Sequence, residues 1–315
     1  MKLIVTGVTG FAGRVVCERL IAGGHRVTAL TRRATSAAEA GLPPAVTVHA
    51  VGNLETYVPA GELAGAQAVI HLAAKVHVMT PTAADEAQFH AVNVTATERL
   101  AQAAAEAGVG RFIFASTIKV NGESTIGRSP FTADDPPAPT DSYARSKQAA
   151  EESLLAMSSE MEVAILRPPL VYGPAVKGNL AALMRLAALP LPLPLGALSN
   201  RRSLVGVTNL ADALIHLATA PADSVAGRVF LVRDCDVSTG DLVRALRHAM
   251  GRPPLLLPAP EALMGGALSL CGLGRYRGRI FGDLRVDDTA LRATGWRPSV
   301  SMTDEIGRMV AAAGN

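Results

Sequence analysis

Two side chains four residues apart carry the most chemistry in this sequence. Tyr143 and Lys147, in Tyr143-Ala144-Arg145-Ser146-Lys147, share one face if the segment is helical. A free phenol titrates at ~10, and an ammonium held beside it favours the phenolate. Such a phenol gives a proton to an alkoxide, or takes one from an alcohol, near neutral pH. A hydroxyl at the end of a neighbouring strand would hold the same oxygen, and Ser116 and Thr117 follow the apolar run Phe112-Ile113-Phe114-Ala115. The chain has only four tyrosines, so a Tyr–Lys pair at this spacing is informative.

The elements that must position these groups begin at the N-terminus. Leu3-Ile4-Val5 reads as a buried strand and residues 14–21 as a helix, joined by Thr6-Gly7-Val8-Thr9-Gly10-Phe11-Ala12-Gly13. Strand, glycine turn and helix in that order form a phosphate site suited to a dinucleotide. Gly7 permits the tight turn, Gly10 lets the backbone approach a pyrophosphate, and Gly13 brings the helix close to the sheet. Thr9, Phe11 and Ala12 complete the loop. Strand signals recur at residues 26–30, 46–49, 68–72, 112–115 and 163–166, with helices at 91–107 and from about residue 142. This alternation predicts an α/β fold, a doubly wound parallel sheet with helices on both faces.

Short proline-rich loops fall at residues 134–139 and 190–194, and the alternation weakens at the second. From there a smaller C-terminal lobe is expected over the carboxyl edge of the sheet, with Val229-Phe230-Leu231-Val232 returning to it. The expected division is discontinuous. Residues 1–173 form the dinucleotide-binding domain, with returning segments at about 207–250, and residues 174–206 and 251–315 form the substrate-binding lobe.

Composition excludes several classes. With 30 basic and 27 acidic residues, the net charge of +3 offers no case for nucleic acid. Cys17, Cys235 and Cys271 are odd in number and contain no CxxC pair, which reads as reduced thiols in a cytoplasmic protein. The seven histidines form no HExxH-like cluster, so no metal is expected. The first apolar run is too short for a signal peptide, and the apolar, glycine-containing stretch at 262–273 is too short to span a bilayer. That stretch reads as a core helix or pocket wall.

The end of the second strand bears on which dinucleotide is preferred. A carboxylate there would bind the adenosine ribose and mark NAD. The chain instead reads Leu30-Thr31-Arg32-Arg33, with two guanidiniums able to pair with a 2′-phosphate. NADP(H) is therefore favoured and NAD(H) kept as possible. After the third strand, Asn53 and Leu54 are the candidates beside the adenine ring.

Residues 6–13, Ser116-Thr117, Tyr143 with Lys147, and Arg167-Pro168-Pro169-Leu170-Val171-Tyr172-Gly173-Pro174 together resemble the extended short-chain dehydrogenase/reductases. These are the nucleotide-sugar epimerases, dehydratases and 4-ketoreductases, and the resemblance covers essentially the whole chain. It implies a Rossmann-like fold, with Leu72, Ala73 and Ala74 (after His71) beside the nicotinamide ribose. Pro168 and Val171 would meet the carboxamide, and Asn93 would have a structural role. Lys147 would bind the nicotinamide ribose, Tyr143 would exchange the proton, and Thr117, with Ser116 in support, would hold the substrate oxygen.

The dehydratase branch carries an Asp-Glu pair after the catalytic Thr. Here Ile118 and Lys119 stand there, which argues against dehydration. A 4-epimerase with retained NAD and a 4-ketoreductase using NADPH remain, and the end of the second strand tilts the reading to the reductase. The segments around residues 71–79 and 118–123 resemble the branch that reduces UDP-4-keto-6-deoxy-N-acetylglucosamine to UDP-N-acetylquinovosamine. The resemblance further implies nucleotide-sugar contacts from Lys177, Asn179, Leu180, Arg202, Arg279 and Asp283. His77 and Lys119 are candidates to face the sugar, His77 reading more readily as a hydrogen-bonded structural residue. A homodimer paired through the helices at 91–107 and 143–155 is expected, and a non-catalytic NADP(H) sensor is the alternative from another class.

Overall fold

The structure, a computed structural model, describes residues 1–57, 59–76, 82–260, 264, 266 and 277–314. The chain opens with β1 (Lys2–Thr6), α1 (Phe11–Ala22) and β2 (Arg26–Thr31). The short helices α2 (Ala37–Ala40) and α3 (Ala60–Leu63) flank β3 (Thr47–Ala50), and β4 (Ala68–His71) follows. Next come α4 (Ala83–His90), a π turn (Ala91–Thr95), α5 (Ala96–Glu106), β5 (Arg111–Ala115), a 3₁₀ turn (Ile118–Val120), α6 (Ser142–Ala156) and β6 (Glu162–Arg167).

The seven-stranded sheet runs β3-β2-β1-β4-β5-β6-β9, where β9 is Arg228–Leu231, and every pairing in it is parallel. Residues 3–6 of β1 and all four of β4 are buried, as strands covered on both faces must be. One face packs Val16, Cys17 and Leu20 of α1 against Leu214 and Leu217 of α8 (Val207–Thr219). The other packs Leu100 and Ala104 of α5 against Ala150 and Leu154 of α6. Small alanines let these helices lie close to the strands. Cys17 and Cys235 are free thiols, and burial pushes the Cys17 thiol up to about 12, far from a nucleophile.

The returning strand at 229–232 is present as β9, beside β6. The helix expected at 91–107 starts earlier, at Ala83. A reciprocal capping box between Thr82 and Asp85 begins α4, and the π turn carries the helix on without a break. Residues 262–273, Cys271 included, lie outside the described residues except for Met264 and Gly266.

The smaller layer is a sheet ordered β10-β8-β7, from β7 (Leu170–Tyr172), β8 (Arg202–Gly206) and β10 (Cys235–Val237). It carries α7 (Gly178–Ala187), α9 (Ala222–Val225) lies back against β6, and α10 (Thr239–Ala249) follows β10. The chain ends with α11 (Arg277–Phe281), α12 (Thr289–Ala293) and α13 (Met302–Ala313). Leu242, Val243 and Leu246 of α10 pack with Leu180, Met184 and Ile306, so α10 belongs with the smaller layer rather than with a returning segment reaching residue 250. Conversely, Leu291 and Trp296 pack into the α1/α8 face of the main core. Amphipathic patterning told that these helices bury a face, not which face they meet. Asp234 ties the layers together: its Oδ2 accepts the Gly206 N–H at 2.7 Å, the Asn209 amide at 2.8 Å and the Tyr172 hydroxyl at 3.2 Å. No helix among the described residues is long and apolar enough to cross a membrane.

Candidate active site

The strand order reverses between β1 and β4, and the crevice above their carboxyl ends is where α/β sheets place ligands. Gly7 has φ 69°, and a Cβ there would lie 2.6 Å from the Leu72 carbonyl carbon and the Ala73 nitrogen. A Cβ on Gly13 would lie 2.3 Å from the Gly7 oxygen. The glycine loop is therefore in backbone contact with residues 72–73. Gly10 caps α1 without any side-chain hydrogen bond and without an acid in the first turn, leaving its first N–H groups open to an anion. Thr9 and Gly10 are exposed, while Phe11, Ala12, Leu72, Ala73 and Ala74 are partly so. These residues fit the diphosphate of a dinucleotide.

At the end of β2, Thr31 is buried and donates its hydroxyl to the Ala34 carbonyl at 2.5 Å. Arg32 and Arg33 are exposed, and among the described residues neither has an ion pair. A third exposed guanidinium, Arg14, reaches from α1 to the C-cap of α2, its Cζ 3.3 Å from where a Gly41 Cβ would stand. Asn53 is exposed and its carbonyl closes a turn with Thr56 and Tyr57, while Leu54 packs against the core beneath.

α6 begins at Asp141, whose Oδ1 accepts the Ala144 N–H at 2.7 Å. Tyr143 thus sits in the first turn and Lys147 in the next. The Tyr143 ring lies 6.2 Å from that of Phe89, and the buried Lys147 Nζ lies 3.7 Å from the Phe114 ring centroid. Thr117 accepts the Lys119 N–H at 3.3 Å, and the Pro168 carbonyl accepts the Ile118 N–H at 2.9 Å, which joins the ends of β5 and β6. Val171 is partly exposed on β7. Asn93, on the π turn, accepts the Lys75 N–H at 2.8 Å and donates to the Ser146 hydroxyl at 2.9 Å, so it anchors α6.

The sequence reading has the Lys147 ammonium, together with an oxidised nicotinamide ring, favouring the phenolate. The protein's own groups act the other way: burial pushes the Tyr143 phenol up, and the Asp141 carboxylate adds to that. Burial also takes Lys147 down to about 7, opposed by Glu151. The Glu151 charge is shared with a second cation. Arg167 donates its Nε to both Glu151 oxygens, at 3.0 and 3.1 Å, and its Nη2 to Oε2 at 2.5 Å. The Ser116 hydroxyl also donates to Glu151. Ser116 is therefore turned to this buried pair, while the Thr117 hydroxyl is not bonded to Glu151.

Lys119 is likewise engaged, 2.5 Å from Asp141 and 3.0 Å from Glu123, and not presented as a free cation to a sugar. Lys177 and Asn179 are exposed at the start of α7, whose cap makes no side-chain hydrogen bond, and the Leu180 side chain is buried, leaving its backbone for contact. Arg202 donates to the Gly282 carbonyl at 3.1 Å, and Asp283 accepts the Arg201 N–H at 2.6 Å. His77 and the Arg279 side chain lie outside the described residues. Sequence reasoning passed over Glu151, Asp141, Thr6 and Arg14. Glu151 had a signal, four residues beyond Lys147 on the same helix, and Asp141 had one as an N-cap residue before an apolar pattern.

A parallel sheet with its crossover at β1/β4, a glycine loop and a Tyr–Lys pair beside a strand-end hydroxyl define a dinucleotide-dependent α/β enzyme. The family model described as NAD dependent epimerase/dehydratase family matches residues 3–232. The chain is 38% identical over 310 residues to a UDP-glucose 4-epimerase of Vibrio cholerae, covering 96% of this chain and 92% of the relative. It is 29% identical over 266 residues to a 2-alkyl-3-oxoalkanoate reductase of Stenotrophomonas maltophilia, covering 80% and 77%. The crystal structure of a Thermus thermophilus UDP-glucose 4-epimerase in complex with NAD matches with a TM-score of 0.74 at 25% identity, over 99% of this chain and 98% of that one. The chain belongs to the NAD dependent epimerase/dehydratase family.

Proposed function

We propose that this protein is an NADPH-dependent 4-ketoreductase of a nucleotide-linked 4-keto-6-deoxy sugar, of the type that converts UDP-4-keto-6-deoxy-N-acetylglucosamine to UDP-N-acetylquinovosamine. The observation that carries the reading is the rim at the end of β2, where Arg32 and Arg33 are exposed without an ion pair among the described residues. Arginines there pair with a 2′-phosphate. A reader of NADPH suits an enzyme that takes fresh reductant at each turnover. Ile118 and the ion-paired Lys119 follow Thr117, and neither offers the acid or base that water elimination needs.

Residues 7–13 of the glycine loop would hold the dinucleotide, which would supply the hydride for C4 of the sugar. Tyr143 gives its proton to the C4 oxygen, and the Thr117 hydroxyl holds that oxygen in place. Lys147, with Leu72, Ala73 and Ala74, would hold the nicotinamide ribose, and Pro168 and Val171 would hold the carboxamide. Asn53 and Leu54 border the adenine. The N–H groups at the start of α7, with Lys177 and Asn179, and the arginines Arg202 and Arg279 bind the diphosphate. Asp283 stands by the nucleoside ribose. Two copies pair through α5 and α6 as a homodimer, which light scattering tests.

The deciding experiment follows NADPH absorbance with a panel of UDP- and dTDP-linked 4-keto sugars. Consumption of NADPH supports the reductase. The second reading, a UDP-hexose 4-epimerase with bound NAD, is favoured by the identity to the Vibrio cholerae protein. Interconversion of UDP-glucose and UDP-galactose without added cofactor would establish it in place of the first. Tight NADP(H) binding with no turnover would leave a sensor.

A further inference from the structure

Lys119 stands where a sugar contact was expected, yet its ammonium faces protein carboxylates. Its Nζ lies 2.5 Å from Asp141 Oδ2 and 3.0 Å from Glu123 Oε1. The other Asp141 oxygen is fixed by the Ala144 N–H at 2.7 Å, which holds this carboxylate against the first turn of α6, two residues before Tyr143. The Lys119 and Asp141 side chains are 25% and 31% exposed, so their fields reach the phenol only partly screened.

We propose that Lys119 is a positioning residue for proton transfer: its pairing with Asp141 offsets a carboxylate at the start of the catalytic helix and keeps the Tyr143 phenol able to part with its proton. The inference rests on Tyr143 being the proton donor. The Asp141 charge opposes ionisation of that phenol. The other charges around Tyr143 come from every neighbouring element. Lys147 lies one turn along α6. Glu86 of α4 accepts the Ser142 hydroxyl at 2.7 Å and lies 3.6 Å from Arg145. Lys75, paired with Asp85 at 2.9 Å, stands 5.3 Å over the Phe89 ring that meets Tyr143. Glu123 shares Lys119. Of these, the Lys119–Asp141 pair is the one that joins the end of β5 to the cap of α6, so it couples the strand carrying Thr117 to the helix carrying Tyr143.

The test is a tyrosinate difference titration, each protein minus its Tyr143→Phe partner, with NADP⁺ bound. Lys119→Met raises the Tyr143 midpoint by about half to one pH unit, because the Asp141 carboxylate loses that cation. Asp141→Asn, which keeps an N-cap, lowers it by a similar amount, and Lys119→Arg leaves it in place. In the direction where UDP-N-acetylquinovosamine is oxidised with NADP⁺, at a pH below the midpoint, kcat falls about three- to tenfold in Lys119→Met and rises in Asp141→Asn, with KM little changed. Midpoints that stay together, move in the same direction, or are never reached before alkaline unfolding in Asp141→Asn overturn the inference. So does a raised KM in Lys119→Met with an unmoved midpoint, the mark of a sugar contact. A wild-type protein that fails to oxidise UDP-N-acetylquinovosamine counts against the proposed function, and the titration still judges Lys119.

Discussion

The Thr6 hydroxyl and the His71 Nδ1 atom lie 2.7 Å apart, and the same hydroxyl oxygen accepts the Leu72 and Ala73 N–H groups at 3.2 and 3.1 Å. Accepting twice, Thr6 must donate to His71, which makes Nδ1 the acceptor and Nε2 the protonated nitrogen. Nε2 then donates to the Thr97 hydroxyl at 3.0 Å, and Thr97 donates to the Asn93 carbonyl at 2.8 Å. One relay thus runs from the glycine loop, across β4, to the π turn that anchors α6. Replacing Thr6 with Val leaves two N–H groups and an imidazole nitrogen unmatched. Urea unfolding should show a loss of about 1–3 kcal/mol, and NADPH affinity should fall with it, whereas Thr6→Ser should retain most of both.

Acid should attack the same relay. Burial, and then the Lys147 charge, hold His71 down at about 3 against an ordinary 6.5. Between those values the unfolded chain binds a proton that the folded chain refuses. The contribution of neutral His71 is complete above 6.5 and is lost as pH falls toward 3. Unfolding free energy measured at pH 7 and at pH 4.5 should drop less steeply in His71→Gln than in the wild type, even though the variant starts lower. Equal slopes would show that other groups carry the acid response.

Tyr143→Phe removes the proposed proton donor and little else, since the ring still packs on Phe89. Turnover should fall about 10²- to 10⁴-fold, with the NADPH dissociation constant held within about threefold by fluorescence titration. Full activity in this variant would refute the catalytic assignment.

Lys147→Met should abolish activity and yet stabilise the fold. Burial lowers Lys147 from 10.5 to about 7, so the penalty for its charge is full below pH 7 and fades as pH rises to 10.5. Exchanging a buried ion for an apolar side chain of similar length can stabilise by about 1–3 kcal/mol. The gain over wild type should be larger in thermal melts at pH 6 than at pH 9. A gain independent of pH would assign it to packing.

Substituting Arg32 and Arg33 together by Ser should raise the KM for NADPH by at least about tenfold, and the loss should shrink at high salt. KM for NADH should stay near its starting value. Equal losses for both dinucleotides would move the 2′-phosphate contact elsewhere, with Arg14 the next residue to change.

The strands were legible because a parallel sheet buried on both faces leaves uninterrupted apolar runs, and even the late return at Arg228–Leu231 carried one. The shared face of Tyr143 and Lys147 was legible from helical spacing. Their protonation was not, because burial decides it and spacing carries no measure of burial. Glu151 reads along the chain as a helical polar residue, and only folding brings Arg167 of β6 to it and turns Ser116 away from the crevice. Lys119 read as a cation free for a sugar because Asp141 is twenty-two positions distant in the chain and adjacent only in space. The π turn at Ala91–Thr95 has no local signature. Within it Asn93 points inward to Lys75 and Ser146.

Asp234 has a mechanical consequence. Three of the chain's passages between the large sheet and the smaller layer fall after β6, before α8 and after β9, and this single carboxylate grips Tyr172 at the first of these and Gly206 and Asn209 at the second, while itself standing on the third. Three of the cap's connections to the large sheet are thus fastened through one carboxylate. Loosening that knot with Asp234→Ala should free all three passages at once.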